Sequence, residues 1–309
     1  MTILITGIHG FVGTNLVNAL KTNHAIYGLD IVSPQKEGVI KTFSWDELDN
    51  LNDIDIVIHL AGKAHDTKNQ TVAQTYFEIN TGLTQKIYDW FLKSSASKFI
   101  FFSSVKAAAD KVEGIFLTED IIPKPFGPYG ESKIAAENYI LKNIPENKSV
   151  YIFRPCMIHG PGNKGNFNLL YNFVSKGIPY PLGAFENKRS FTSIDNLSFI
   201  IQSIIEKDIE SGIYNIGDDE TLSTNELIAL IADASNKSKR IWKIPQNFIC
   251  FFASIGSFLH LPLNNERLQK LTENYVVSNK KIKDALNITK MPISATEGFR
   301  KTIKSFEQK

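Results

Sequence analysis

Cysteine is scarce in this 309-residue chain: Cys156 and Cys250 stand alone, with no CxxC pair and no neighbouring histidine pair. That excludes a disulfide framework and a cysteine-built zinc site, and no metal is expected. A charge of one sign is missing as well. Lys and Arg total 34 against 32 Asp and Glu, a net of +2, which gives no electrostatic reason to expect a nucleic-acid partner. The opening MTILITG has neither a basic leader nor a cleavable apolar segment, so no secretory signal is read and a cytoplasmic location is expected. There is no internal repeat and no low-complexity tract, which excludes a solenoid. The longest apolar run, FICFFASIGSFLHLPL, spans 16 residues from Phe248 to Leu263 and is interrupted by Gly256, His260 and Pro262. A spanning helix needs about 20. Phe248, Phe252, Ile255 and Leu259 recur at helical spacing, which predicts a helix packed in the protein; an interfacial helix touching a membrane is the alternative.

What is present is ample apolar material, 43% hydrophobic against 21% charged residues, enough for one large or two coupled domains. Short apolar, β-branched runs at Ile3 to Thr6, Ala25 to Leu29, Ile54 to Leu60, Phe99 to Ser103 and Val150 to Arg154 alternate with longer helix-compatible stretches. This predicts an α/β fold with a doubly wound, Rossmann-like parallel sheet over residues 1–160. Beyond residue 160 the Gly/Pro-punctuated loops GPGNKGN and KGIPYPLGAFENKRS introduce short helices. Residues 161–309 are expected to form mainly a smaller substrate-binding lobe, with segments interleaving between the two.

The first strand runs into GIHGFVG, with glycines at 7, 10 and 13 and Phe11 opening a helix. Gly7 permits a tight turn, Gly10 lets a pyrophosphate approach the backbone, and Gly13 lets the helix lie against the strand. Free N–H groups at the helix start then face the anion. The second strand ends at Asp30, whose carboxylate suits two ribose hydroxyls and repels a 2′-phosphate. NAD is therefore expected over NADP.

The stretch PYGESK places Tyr129 and Lys133 on one helix face. In so lysine-rich a chain this spacing alone is no rarer than chance. Position adds the argument: the strand KFIFF ends in Ser103-Ser104, where strands of a doubly wound sheet open onto the cofactor crevice. A hydroxyl from Ser104, a phenol and an ammonium then converge as a candidate catalytic set. Oxidising a secondary alcohol needs a base for its proton, and nearby positive charge favours phenolate at Tyr129.

These residues, with HLAG, FEIN, RPCMIHGPG, GNFNLL, KRSFTSIDNL and YNIGD, resemble the extended short-chain dehydrogenase/reductases, specifically the nucleotide-sugar epimerases and dehydratases. By resemblance, Leu60, Ala61, Gly62 and Asn80 line the cofactor together with the glycine loop and Phe11. Lys133 also holds the nicotinamide ribose, Pro155 lies by the nicotinamide, and Asn166 and Arg189 contact the diphosphate of a nucleotide-sugar substrate, UDP-linked by expectation. A homodimer is implied through helices near 75–92 and 130–143. The chain departs from the family pattern at Met157, where many members carry asparagine, and at Ala108-Ala109, where many carry a YG pair. Val105-Lys106 replaces the Asp-Glu pair of dehydratases. The resemblance implies an NAD-dependent 4-epimerase of a UDP-hexose or N-acetylhexosamine in surface polysaccharide precursor synthesis. A 4-keto reductase of a UDP-6-deoxy-hexosamine, an epimerase of polyprenyl-diphosphate-linked sugars, and a non-catalytic NAD-binding regulator are the alternatives.

Overall fold

The computed structural model describes residues 1–64, 72–163, 165–258 and 264–307, with the side chains of Asn166 and Glu266 outside that description. Seven strands form one sheet: β1 (Thr2–Thr6), β2 (Ala25–Leu29), β3 (Lys41–Phe43), β4 (Ile56–His59), β5 (Lys98–Phe102), β6 (Ser149–Pro155) and β9 (Gly212–Ile216). Their order is β3-β2-β1-β4-β5-β6-β9, and every pairing is parallel. The order reverses between β1 and β4, so a crevice opens beyond their carboxyl ends. A separate parallel pair joins β7 (Met157–His159) to β8 (Phe191–Ser193).

The strands are apolar on both faces because both are covered. Ile3 and Ile5 of β1 point into one cluster with Leu16, Leu197, Ile200 and Ile204. Leu4 points to the other, with Ile87, Phe91, Phe99 and Ile140. Helices Phe11–Leu20 and Ile194–Glu206 cover the first face, Leu83–Lys93 and Gly127–Lys142 the second. In Leu83–Lys93 the buried positions are Thr84, Ile87, Tyr88 and Phe91, the spacing of one helix face. Each large apolar side chain so buried contributes roughly 1.5–3 kcal/mol.

The helix Ile194–Glu206 and β9 both follow the Gly/Pro-rich loops in sequence, yet they pack on and extend the sheet of the first half. Lys98, opening β5, reinforces that join. Its ammonium donates to the carbonyls of Ile204 at 2.9 Å, Ile205 at 3.3 Å and Lys207 at 3.2 Å. It thereby satisfies orphan acceptors at a helix C-terminus, where positive charge is favoured.

A third apolar cluster around Phe167, Leu182, Phe191, Ile231 and Phe299 forms the remaining lobe. Helix Gln246–Phe258 covers much of the long apolar run, and one sequence expectation fails there. Its inward positions are Ile249, Ala253 and Gly256, while Phe248, Phe252 and Ile255 face outward. The small residues let the helix lie close to its neighbours, so they, not the aromatic stripe, choose the buried face. Leu259 lies outside the described residues. No helix among the described residues is long and apolar enough to cross a membrane.

Candidate active site

The glycine loop is packed to backbone contact. Gly7 has φ 66°, and a Cβ there would stand 2.9 Å from the Ala61 amide nitrogen; one on Gly13 would stand 2.7 Å from the carbonyl oxygens of Gly7 and Ile8. Only glycine fits either place. Gly10 precedes helix Phe11–Leu20, whose first N–H groups have no side-chain cap, leaving donors turned to an anion. The Phe11 ring lies beside Gly160 and Gly162. Asp30 follows β2 with its carboxylate fixed by the backbone N–H of His9 at 3.0 Å and of Ile31 at 2.8 Å. This bare, donor-rich turn ending in a held carboxylate fits the diphosphate and ribose of NAD. Sequence reading missed Lys36, whose ammonium donates to Ile8 O at 3.0 Å and Thr14 Oγ1 at 2.7 Å across the same loop. Burial lowers its pKa, while Asp30 opposes the shift.

A directional chain of hydrogen bonds fixes the next loop. The Thr6 hydroxyl accepts from the N–H groups of Leu60 at 3.1 Å and Ala61 at 3.0 Å, so its own proton points to His59 Nδ1 at 2.7 Å. His59 then carries its proton on Nε2 and donates to Thr84 Oγ1 at 2.9 Å, which donates to Asn80 O at 2.6 Å. Complete burial, with Lys133 nearby, lowers the His59 pKa to about 3, so the ring is a neutral structural link.

Asn80 sits in a π-helical segment, Phe77–Gly82, an insertion frequent at functional sites. Its amide accepts from Lys63 N at 2.7 Å and donates to Lys63 O at 3.1 Å and Ser132 Oγ at 2.9 Å. Asn80 therefore ties the Leu60–Lys63 loop to the helix carrying Tyr129. Gly62 lies against both Asn80 and the Lys133 ammonium.

That helix, Gly127–Lys142, starts with Pro128 in its first turn, where proline's fixed φ and missing N–H cost nothing. Adjacent serines after β5 diverge. Ser104 pairs with the Tyr129 hydroxyl, whereas Ser103 donates to Glu137. Burial raises the Tyr129 phenol above its ordinary pKa; the Ser104 hydrogen bond pulls it down, and the Tyr76 ring, edge-on at 6.4 Å, pushes it up again. Lys133 donates to Phe102 O at 2.8 Å. Burial lowers its pKa to about 8 while Glu137 opposes. The protein alone thus holds Tyr129 as a phenol, and the phenolate expected from sequence requires further positive charge in the crevice.

Glu137 and Arg154 form a fully buried ion pair that sequence reading missed: Arg154 donates through Nε to Oε1 at 3.0 Å and through Nη2 to Oε2 at 2.6 Å. Glu137 follows Lys133 by four, as Lys133 follows Tyr129, a spacing that shows a shared helix face but not the Arg154 partner. Pro155 ends β6 immediately after Arg154, buried at the carboxyl edge.

Of the residues expected to meet the diphosphate, Asn166 opens helix Asn166–Ser175, and its side chain lies outside the described residues. Arg189 donates to Lys270 O at 3.1 Å, and its backbone pairs with Leu222 and Tyr275. Tyr275, also missed, donates to Ala109 O at 2.7 Å and lies 3.2 Å from Val105 O. It links the Arg189 segment to the turn that starts at Ser104. The backbone carbonyls of Ala108 and Ala109 thus serve as anchors, the first accepting from Lys124 N–H and the second from the Tyr275 hydroxyl. Ser104, Tyr129, Lys133, Gly62 and Asn80 form one connected cluster; Arg189 reaches it through Tyr275. Among the described residues no group of His, Cys, Asp and Glu is arranged to hold a metal.

The family model for the NAD dependent epimerase/dehydratase family matches residues 3–217. The chain belongs to that family. It is accordingly an NAD-dependent enzyme of the nucleotide-sugar epimerase type, and the resemblance read from its motifs holds. A Vibrio cholerae protein named UDP-glucose 4-epimerase is 32% identical, covering 99% of this chain and 96% of its own. An Escherichia coli O157:H7 protein named N-acetyl-alpha-D-glucosaminyl-diphospho-ditrans,octacis-undecaprenol 4-epimerase is 27% identical over 91% of this chain and 84% of its own. Among solved structures, the UDP-glucuronic acid 4-epimerase of Bacillus cereus in complex with NAD superposes with a TM-score of 0.78 at 22% identity, covering 100% of this chain and 97% of that one. This likeness shows the Rossmann-like fold, in agreement with the sheet order.

Proposed function

We propose that this enzyme inverts C4 of a UDP-linked hexose or N-acetylhexosamine, through a transient 4-keto sugar, in making surface polysaccharide precursors. The observation that supports this most is the hydroxyl pair of Ser104 and Tyr129 with the Lys133 ammonium one turn further along the helix. Bound NAD, on the glycine loop and Asp30, supplies reversible oxidation at C4. Tyr129 Oη, as the phenolate that the positive charge of bound oxidised NAD would favour, takes the C4 hydroxyl proton as the ketone forms and returns it after the sugar has turned. Ser104 Oγ holds the C4 oxygen in line with that transfer. Lys133, one helical turn beyond Tyr129, keeps a positive charge at neutral pH and, through Phe102 O, holds its helix against the end of β5. Asn166 and Arg189 hold the diphosphate, for which a guanidinium's fork of donors is suited. We read helices Leu83–Lys93 and Gly127–Lys142 as the homodimer contact.

The test is incubation with UDP-Glc, UDP-Gal, UDP-GlcNAc and UDP-GalNAc without added reductant. Inversion of at least one is expected. The Escherichia coli relative adds an arm with undecaprenyl-diphospho-GlcNAc. Failure with all four UDP-sugars overturns the proposal, inversion of the lipid-linked sugar alone would assign that carrier instead, and stoichiometric NAD(P)H loss with a 4-keto sugar nucleotide would assign a reductase.

A further inference from the structure

Helix Gln246–Phe258 is apolar on the side that faces away from the protein. Its inner face is the narrow stripe Ile249, Ala253 and Gly256. On the outside, Phe248 is 56% exposed, Phe251 61%, Phe252 47% and Phe258 83%. Three of these rings form a continuous surface, with Phe252 centred 4.7 Å from Phe248 and 5.7 Å from Phe251. At roughly 200 Å² per phenylalanine, these three leave about 330 Å² of contiguous aromatic surface in water, and Phe258 adds its own ring at the helix end. Patches of that size on a monomer are often functional.

The sequence leading into this helix carries charge of one sign. From Asn236 to Phe258 the chain holds four cationic residues, Lys237, Lys239, Arg240 and Lys243, and no acid, although the whole protein is nearly balanced. All four are exposed, as is Trp242 at 57%. Lys239 lies 3.4 Å from Asp233 and Arg240 donates to Gly177 O. The run precedes the helix N-terminus, where cations oppose the macrodipole, so helix stability does not account for it. Phenylalanines beside tryptophan, lysine and arginine suit the boundary between acyl chains and anionic headgroups. A second copy of the chain would present the same positive border, whereas an anionic bilayer supplies the opposite charge.

We propose that helix Gln246–Phe258, with the basic segment before it, docks this enzyme on an anionic membrane surface. The helix lies on the surface and does not span. Its neighbour, helix Asn265–Thr272, is fixed to it by the Asn265 N–H donating to Ser257 Oγ at 2.9 Å, and supplies Lys270 O to Arg189. Docking therefore brings the Arg189 segment within one helix of the lipid. The inference goes beyond the proposed reaction and does not depend on it.

Co-sedimentation with vesicles of phosphatidylglycerol and phosphatidylethanolamine tests it without any turnover. The wild-type protein should pellet with them at least tenfold more than with phosphatidylcholine vesicles, and about 0.5 M salt should remove most of the difference. Phe251→Ser/Phe258→Ser and Lys237→Glu/Lys243→Glu should each lower retention at least tenfold while far-UV circular dichroism and thermal midpoint stay as in the wild type. Absence of wild-type retention overturns the proposal, as does equal retention of both folded variants. Self-association that Phe251→Ser/Phe258→Ser abolishes, without vesicle binding, overturns it in favour of a second copy.

Discussion

Glu137 lies one helical turn beyond Lys133 and is gripped from β6 by the Arg154 guanidinium, so the helix carrying the candidate catalytic pair is pinned to the sheet by charge. Breaking a buried pair strands the surviving charge. Glu137→Gln should cost roughly 3–5 kcal/mol in urea unfolding, and Glu137→Met/Arg154→Met should recover a large part of it. A double variant no more stable than the single one would show that the pair does more than satisfy itself.

Tyr129→Phe removes one oxygen and leaves the ring edge-on to Tyr76. Turnover should fall by about 10²–10⁴, the usual value of a positioned acid or base, while NAD affinity by fluorescence titration stays within twofold. Activity near the wild-type level would refute the role given to the phenol.

The Lys133 ammonium, with its pKa lowered to about 8, should lose its proton within an accessible range. The rate of the free enzyme should therefore decline on an alkaline limb with a midpoint near 8. Lys133→Arg, which stays charged, should move that limb upward even though its maximum rate is lower; an unmoved limb would assign the ionisation to another group.

His59 titrates in the opposite sense to a stabilising ion pair. Its folded pKa of about 3 lies below the ordinary 6.5, so the unfolded chain binds the proton first. The neutral-ring stability is complete above pH 6.5 and drains away as pH falls toward 3. At pH 5 the loss should be about 2 kcal/mol. His59→Gln should be less stable at pH 7 but flatter between pH 6.5 and 4, measured by urea midpoints.

Asp30 is held by two backbone N–H groups at the end of β2. Asp30→Asn keeps the shape and removes the charge that repels a 2′-phosphate. The ratio of NAD to NADP affinity should fall at least tenfold by titration calorimetry.

Much of the fold was readable because parallel strands buried on both faces are nearly continuous apolar runs: KFIFF and AIYGL announce themselves. β3 is three residues long, and β9, GIYNI, owes its place to β6 beside it, a non-local fact. The glycine loop, Asp30, Ser104, Tyr129 and Lys133 could be read from local spacing. Glu137, Arg154, Ser132, His59 and Tyr275 could not, since their partners lie 17 to 170 residues away and only the sheet brings them together. The outward turn of Phe248, Phe252 and Ile255 escaped for another reason. Periodicity identifies a stripe but not which stripe is buried, and Ala253 and Gly256 decided that by size.

The interleaving of the chain's second half with the first limits how this enzyme can diversify. Strand β9 and the helix that Lys98 caps are both encoded after the loops of the smaller lobe, yet both are parts of the cofactor sheet. A crossover that exchanged everything after residue 160 with a distant relative would replace a sheet edge and a layer of core in the same event. Exchange of that half therefore disturbs the cofactor sheet, whereas a point substitution or an exchange of loops within the lobe leaves the sheet's edge and core in place.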